Sequence, residues 1–313
     1  MLSGREAYRA ELADLAATDA RIVCLEADLG GANHPFQQRH PDRFLNLGIA
    51  EGTAVDVAVG LARAGLRPFV STFATFAALR AAESVKLGLG YLGAPVVLVC
   101  PYGGVSGAWF GTTHHCLEDL AVVRSLPGVR VAVPCGQAET RAVVRTAATD
   151  DRPCYIRLDR NDAVPALTPP VGRGEVGWVR PPTGTGGTCL ISIGEKPAAL
   201  CAAATEPGTG LAHARLCWVD EDSLDTAADE LAGAAQRLVV VEEHRAAGGI
   251  ASALALRLPG REVIGVNAGS AWPAEGGDHD EVLTALGLTV TAVLAAAGAG
   301  PSGTTTHPTK GTR

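Results

Sequence analysis

The chain lacks most of the features that announce a function by themselves. No run of lysine and arginine tracks along it, and its formal net charge is −7. A nucleic-acid partner is therefore not expected. No uninterrupted apolar stretch reaches 18 residues, so no membrane span is expected either. The N-terminal "MLSGREAYRAELADLAA" alternates charge and apolar residues and has neither the apolar core nor the small-residue cleavage pattern of a leader. The eight cysteines, at 24, 100, 116, 135, 154, 189, 201 and 217, never form CxxC. That spacing excludes a zinc framework and points to reduced, buried, strand-associated thiols in a cytoplasmic protein. Aromatic residues make up only 4% of the chain, so an aromatic cluster stands out where one occurs. There is no internal repeat.

What is present suits a globular α/β protein. The 313 residues are 47% hydrophobic and 19% charged, enough for a large core and two domains. Helix and strand patterns alternate from the start. A helix over 4–17 precedes the buried strand "RIVCLEADL", which ends near Asp28, and then a strand "FLNLG". Ala54, Val55, Ala58, Val59 and Ala62 recur at helical spacing over 50–64, and Gly65 ends that helix. "RPFVSTF" leads from a strand into a helix over about 74–87. After the strand "APVVLVC" comes a glycine-rich loop, "PYGGVSGAWFGTTHH", and then "LEDLAVVRSL", "VRVAVP", "AETRAVVRTAA" and "PCYIRL" in helix–strand alternation. This order predicts a parallel, doubly wound sheet over residues 1–162. Residues 163–186 are rich in proline and glycine and read as a linker with one hairpin. A second, smaller α/β unit is expected over 187–299, and the polar tail 300–313 is expected to be disordered.

Several residues raise a local question. Glu51 opens the small-residue helix in "FLNLGIAEGTAVDVAVGLARAG". A carboxylate there gains about 0.3–1 kcal/mol from the helix N-terminus, and that account suffices locally. Phe73 and Phe76 are three apart and share a helical face. His114 and His115 lie in the glycine-rich loop. Asp28 sits at a strand end, where it can cap, turn the chain or serve a site. Arg160 and Arg157 flank the end of "YIRLDR" in alternative registers.

"LEADLGG", "FLNLGIAEGTAVDVAVGLARAG", "PFVSTFATFAALRAAE", "GTTHHCLEDLAVVRSLPGVRVAVPC", "AET" and "CYIRLDR", in this order, resemble the C-terminal half of transketolase, and "VVVEEHRAAGGIASALA" resembles its last domain. The resemblance spans roughly residues 4–297. It implies a thiamine pyrimidine-binding domain followed by a smaller transketolase C-terminal-type domain. It also implies thiamine diphosphate with Mg²⁺ as cofactors. By the same resemblance Glu51 is the buried acid that shares a proton with the pyrimidine ring. Phe73, Phe76, Asp28 and Ile49 are implied as cofactor contacts. His114 is implied to orient substrate oxygens and move protons, Arg160 to hold a sugar phosphate, and Tyr102 and Phe110 to line the substrate side. The diphosphate-binding GDG motif of full-length transketolases does not occur in the matching place, and the GGD of "GGDHDEVL" lies in the wrong unit. A separate diphosphate-binding subunit is therefore expected, in an α2β2 assembly that also self-associates through both domains.

The glycine-rich loop departs from the family pattern. Where that pattern reads G-E-D-G-P-T-H, this chain reads "GAWFGTTH". Phe110 replaces the acid that meets a substrate hydroxyl, Trp109 replaces its acidic neighbour, and Tyr102 stands where a histidine is usual. Losing these polar groups argues for a less hydroxylated or bulkier acceptor. Two other readings stay open: the β subunit of a 2-oxoacid dehydrogenase, and a catalytically silent regulatory subunit.

Overall fold

A computed structural model describes residues 1–29, 33–160, 163–184, 186–205, 208–273 and 276–299. The polar tail expected at 300–313 lies outside the described residues. Helix α1 (Gly4–Ala16) starts at Ser3, whose hydroxyl accepts from the Glu6 amide while the Glu6 carboxylate reaches back, a reciprocal cap. Strands β1 (Ile22–Glu26), β2 (Phe44–Asn46), β3 (Arg67–Ser71), β4 (Val97–Cys100), β5 (Arg130–Ala132) and β6 (Cys154–Arg157) form one wholly parallel sheet in the order β2-β1-β3-β4-β6-β5. Most of these strands are buried on both faces, which is why they read as continuous apolar runs.

Alternate residues serve opposite layers. Val23, Leu25, Val70, Leu98 and Tyr155 face one core. Ile22, Cys24, Phe69, Val97 and Ile156 face another, shared with Tyr8 and Leu12 of α1 and Val143 and Val144 of α6 (Gly136–Thr149). The short α2 (Pro35–Arg39) packs on α1. Helix α3 (Glu51–Arg63) stops before Gly65, which takes φ +90°, a conformation glycine adopts without cost. The helix expected over 74–87 is longer and less regular. A four-residue α4 (Ala82–Val85) lies between π-helical turns at Phe76–Arg80 and Lys86–Tyr91. α5 (Asp119–Arg124) follows the glycine-rich loop.

The second sheet runs β11-β10-β8-β9-β7. Its members are β7 (Gly177–Arg180), β8 (Thr188–Ile193), β9 (Ala212–Arg215), β10 (Arg237–Glu242) and β11 (Glu262–Val266), with α7 (Glu195–Ala204), α8 (Glu221–Ala234) and α9 (Ile250–Arg257) between them. β7 falls inside the stretch read as a linker. It forms no hairpin and pairs antiparallel with β9 instead. The last described elements are α10 (His279–Ala285) and α11 (Val290–Ala296). By length and composition alone, His279–Ala296 would pass as a single spanning helix. The backbone breaks between α10 and α11, and Val282, Leu283, Leu288 and Val293 are buried against the second sheet.

The two units are joined directly. Val133 donates to the Cys217 carbonyl at 2.7 Å, and Val219 donates to Val131 at 2.8 Å. All eight cysteines are free and buried, four of them in strands.

Candidate active site

The C-terminal ends of β1, β3, β4 and β6 open on one side of the first sheet, the edge where sheets of this type place their sites. Glu51 is the first residue of α3 and is 3% exposed. Arg80, half-exposed on the facing helix, donates to its Oε1 at 3.0 Å. The Arg80 guanidinium also lies 4.2 Å from the centre of the Phe76 ring. Charge pairing and a cation–π contact thus tie the carboxylate to the aromatic shelf.

The shelf is continuous. Between ring centres, Phe73 meets Phe76 at 5.6 Å and His114 at 5.3 Å edge-on, and Tyr102 at 4.3 Å with the rings tilted. His114 stacks on Phe110 at 4.5 Å and meets Phe76 at 5.2 Å. Thr113 Oγ1 is 3.0 Å from His114 Nδ1. Burial, reinforced by the Arg80 charge, lowers the His114 pKa from its ordinary value, so the imidazole is neutral at pH 7. Tyr102 takes φ +65° at the end of β4, and Asp28 takes φ +56° beyond β1. These two are the non-glycine residues with positive φ among the described residues, and strain of this kind gathers at functional sites.

Arg160 is fixed at the inner end. Its Nε donates to the Tyr102 hydroxyl, and its guanidinium lies 3.9 Å from the centre of the Trp109 ring. The alternative, Arg157, is 4% exposed and faces away from the shelf, 3.4 Å from Asp119 and donating to the Glu243 carbonyl at 2.7 Å. His115 is likewise turned inward, within 3.4 Å of the Ala108 carbonyl.

The structure therefore brings together Glu51, Phe73, Phe76, Tyr102, Phe110, His114 and Arg160. Asp28 and Ile49 line the approach rather than the shelf: Asp28 follows β1 beside the end of β2, and Ile49 is two residues ahead of Glu51. Asp28 is exposed and donates its amide to Asn46 Oδ1 at 3.3 Å, and Ile49 is 73% exposed just ahead of α3.

Three residues escaped the sequence reading. Arg80 carried no local sign of its pairing with Glu51. Thr72, between β3 and Phe73, is fully buried, and its hydroxyl lacks a hydrogen-bond partner among the described residues. Arg5 is the third. Its pKa is lowered by burial and by the neighbouring Arg9 and Arg160 charges, with Tyr102 and Glu26 acting in the opposite sense. A signal for it existed: Arg5 and Arg9 continue the α1 stripe of Leu12 and Ala16 at positions i, i+4, i+7 and i+11, so the buried face turns cationic near the strand ends. Both arginines donate to the Leu29 carbonyl, at 2.8 and 2.7 Å. The whole is an aromatic shelf that joins a buried acid, an imidazole neutral at pH 7 and the Arg160 guanidinium. Among the described residues, no three His, Cys, Asp or Glu side chains gather to hold a metal.

Residues 1–164 match the family model described as "Transketolase, pyrimidine binding domain". A 6-deoxy-6-sulfo-D-fructose transketolase subunit, SqwH, of Clostridium sp. (strain MSTE9) is 38% identical over 162 residues, covering 51% of this chain and 50% of that protein. The chain therefore spans half the length of this relative. A putative uncharacterized transketolase family protein of Sinorhizobium fredii is 34% identical over 253 residues, covering 79% of this chain and 73% of its own length. Among solved structures, one described as "Split gene transketolase, inactive beta4 tetramer" superposes with a TM-score of 0.79 at 30% identity, covering 95% of this chain and 97% of that one.

Proposed function

The chain belongs to the transketolase family, and from that premise we propose that it is the pyrimidine-binding subunit of a split, thiamine diphosphate-dependent enzyme that moves a two-carbon ketol unit from a ketose to an aldehyde. The observation that carries this reading is Glu51: a carboxylate 3% exposed, at a helix start, beside a half-buried aromatic shelf. When bound, thiamine diphosphate supplies the nucleophilic carbon and the electron sink that no side chain here can offer.

The residues fit that group. Glu51 would share a proton with its pyrimidine ring, and Phe73 and Phe76 would hold the ring by stacking. Neutral His114 would take and return a proton at a substrate hydroxyl. Trp109 and Phe110 would exclude water, and Arg160, held by Tyr102 and Trp109, would anchor the anionic end of the donor. The diphosphate and its Mg²⁺ would fall to a separate subunit in an α2β2 assembly. Support for that partner comes from the half-length match to a transketolase subunit and from the likeness to a split-gene transketolase chain. The domain limits fitting this reading are 1–162 for pyrimidine binding and 187–299 for the C-terminal-type domain.

The test pairs this chain with the diphosphate-binding chain that co-purifies with it and compares donors. Turnover with hydroxypyruvate and little with pyruvate is expected. Preference for pyruvate, with transfer to lipoamide, would make the chain a 2-oxoacid dehydrogenase β subunit instead. The apolar Trp109–Phe110 lip further favours an acceptor with few hydroxyls over an ordinary sugar phosphate.

A further inference from the structure

Tyr102, Trp109, Phe110 and His114 all belong to residues 101–115, and the second unit holds that segment from behind. Val105 and Ala108 are packed in one core with Leu190, Val239, Val241, Val282 and Leu283. Gly277 donates to the Ala108 carbonyl at 3.3 Å, and Thr112 Oγ1 donates to the Pro273 carbonyl at 3.3 Å. The most directed contact is to Glu243, just after β10. Its Oε2 accepts from the Val105 amide at 3.0 Å and lies 3.0 Å from His279 Nε2. The fit is close: at Gly104, where φ is +61°, an added Cβ would fall 2.4 Å from that oxygen. Arg157 donates to the Glu243 carbonyl at 2.7 Å and so fixes its backbone. None of this is used by the chemistry proposed above.

We infer that Glu243 and His279 are positioning residues: a buried clamp through which the second unit sets the aromatic segment and, with it, the placement of Tyr102, Phe110 and His114 on the substrate side. Burial alone would depress the His279 pKa, but the Glu243 carboxylate outweighs it and raises it to about 9, with Asp159 adding to the rise and Lys196, itself 2.8 Å from Asp280, opposing it. Burial resists ionisation of Glu243, and His279 and Arg157 overcome it and hold the pKa below its ordinary value. His115 also faces this group and is kept neutral at pH 7 by burial. The folded pKa of His279 lies above its unfolded value, so while Glu243 is ionised the clamp's contribution is full at about pH 6.5 and below, and it is lost as pH rises through about 9.

The test is amide hydrogen exchange on the full chain, read by mass spectrometry over 101–116 and divided by the intrinsic rate at each pH. Wild-type exchange in this segment should rise at least tenfold between pH 8 and pH 10. His279→Gln should show the fast rate already at pH 7 and lose the pH dependence. His279→Lys should keep protection past pH 9. Glu243→Gln, which retains an acceptor for Val105 but no charge, should behave as His279→Gln does. Flat wild-type exchange across that range overturns the inference without any variant, and so does loosening spread equally over α10 and β10. Because this readout needs no turnover, it stands apart from the functional reading. In the assembled enzyme, His279→Gln should raise KM about tenfold with kcat within twofold; a fall in kcat alone would overturn a positioning role.

Discussion

At the scale of single residues, Glu51 and His114 make the sharpest claims. A helix-terminal glutamate that only complemented the helix dipole would be worth less than about 1 kcal/mol, and its loss would leave activity alone. Glu51 is instead buried and met by one half-exposed arginine. Glu51→Gln should therefore lower turnover of the assembled enzyme by at least about 100-fold, the scale of a lost proton-transfer partner, with an unchanged circular dichroism spectrum. Full activity in this variant would favour a silent regulatory subunit. His114 titrates below its ordinary value through burial and the Arg80 charge. If its neutral form acts, the acid limb of kcat/KM should inflect below pH 6.5, and Arg80→Gln should move that inflection upward. The sign for stability agrees: a depressed histidine pKa gives a contribution present above about pH 6.5 and lost as pH falls below it. An inflection unmoved in Arg80→Gln would show that another group titrates.

At the scale of elements, the segment carrying Tyr102, Trp109, Phe110 and His114 decides specificity. Phe110 is 43% exposed and stacks on His114, so an acid placed there costs little stability and offers a hydroxyl partner beside the imidazole. Phe110→Asp should raise the kcat/KM ratio of a polyhydroxylated aldehyde over a deoxygenated one at least tenfold, measured by competition. An unchanged ratio would remove Phe110 from the specificity determinants. Elements differ in how openly the sequence shows them. β1, β3, β4 and β6 are buried on both faces and stand out as apolar runs, and Gly65 marks the end of α3 by a conformation it alone takes freely. β7 does not stand out. It is four residues long, mostly half-buried, irregular in register between Trp178 and Arg180, and a strand only because β9 lies beside it. The π-helical turns are equally hidden, because apolar periodicity does not reveal an extra residue per turn. The same holds in the site. Glu51, Phe73, Phe76 and His114 follow from motif and spacing, whereas the Arg80–Glu51 pair depends on how two helices approach, and Arg160 is told from Arg157 only by where the chain carries it after β6 ends at Arg157.

At the scale of the molecule, the helical stretch that reaches Glu51 through Arg80 carries an apolar surface on a chain of net charge −7. Along the helical stretch that carries Arg80, Leu79 and Leu87 are each 49% exposed, Leu92 50% and Tyr91 82%, while Ile49 ahead of α3 is 73% exposed. Apolar side chains this exposed fit the surface that the proposed partner chain would cover. If a diphosphate-binding subunit completes the site at Glu51, as proposed above, this edge is where it would dock. The double variant Leu87→Asp with Tyr91→Asp should then abolish assembly with that subunit in sedimentation velocity and abolish turnover with it. Because neither side chain is part of the core, the melting temperature of the isolated chain should move by less than about 2 °C. Leu256 is 85% exposed on α9 in the second unit, and Leu256→Asp serves as the control that leaves assembly intact. Retained assembly in the double variant would move the interface elsewhere, whereas lost assembly with a large fall in melting temperature would mean that the exposed row supports the fold rather than the partner.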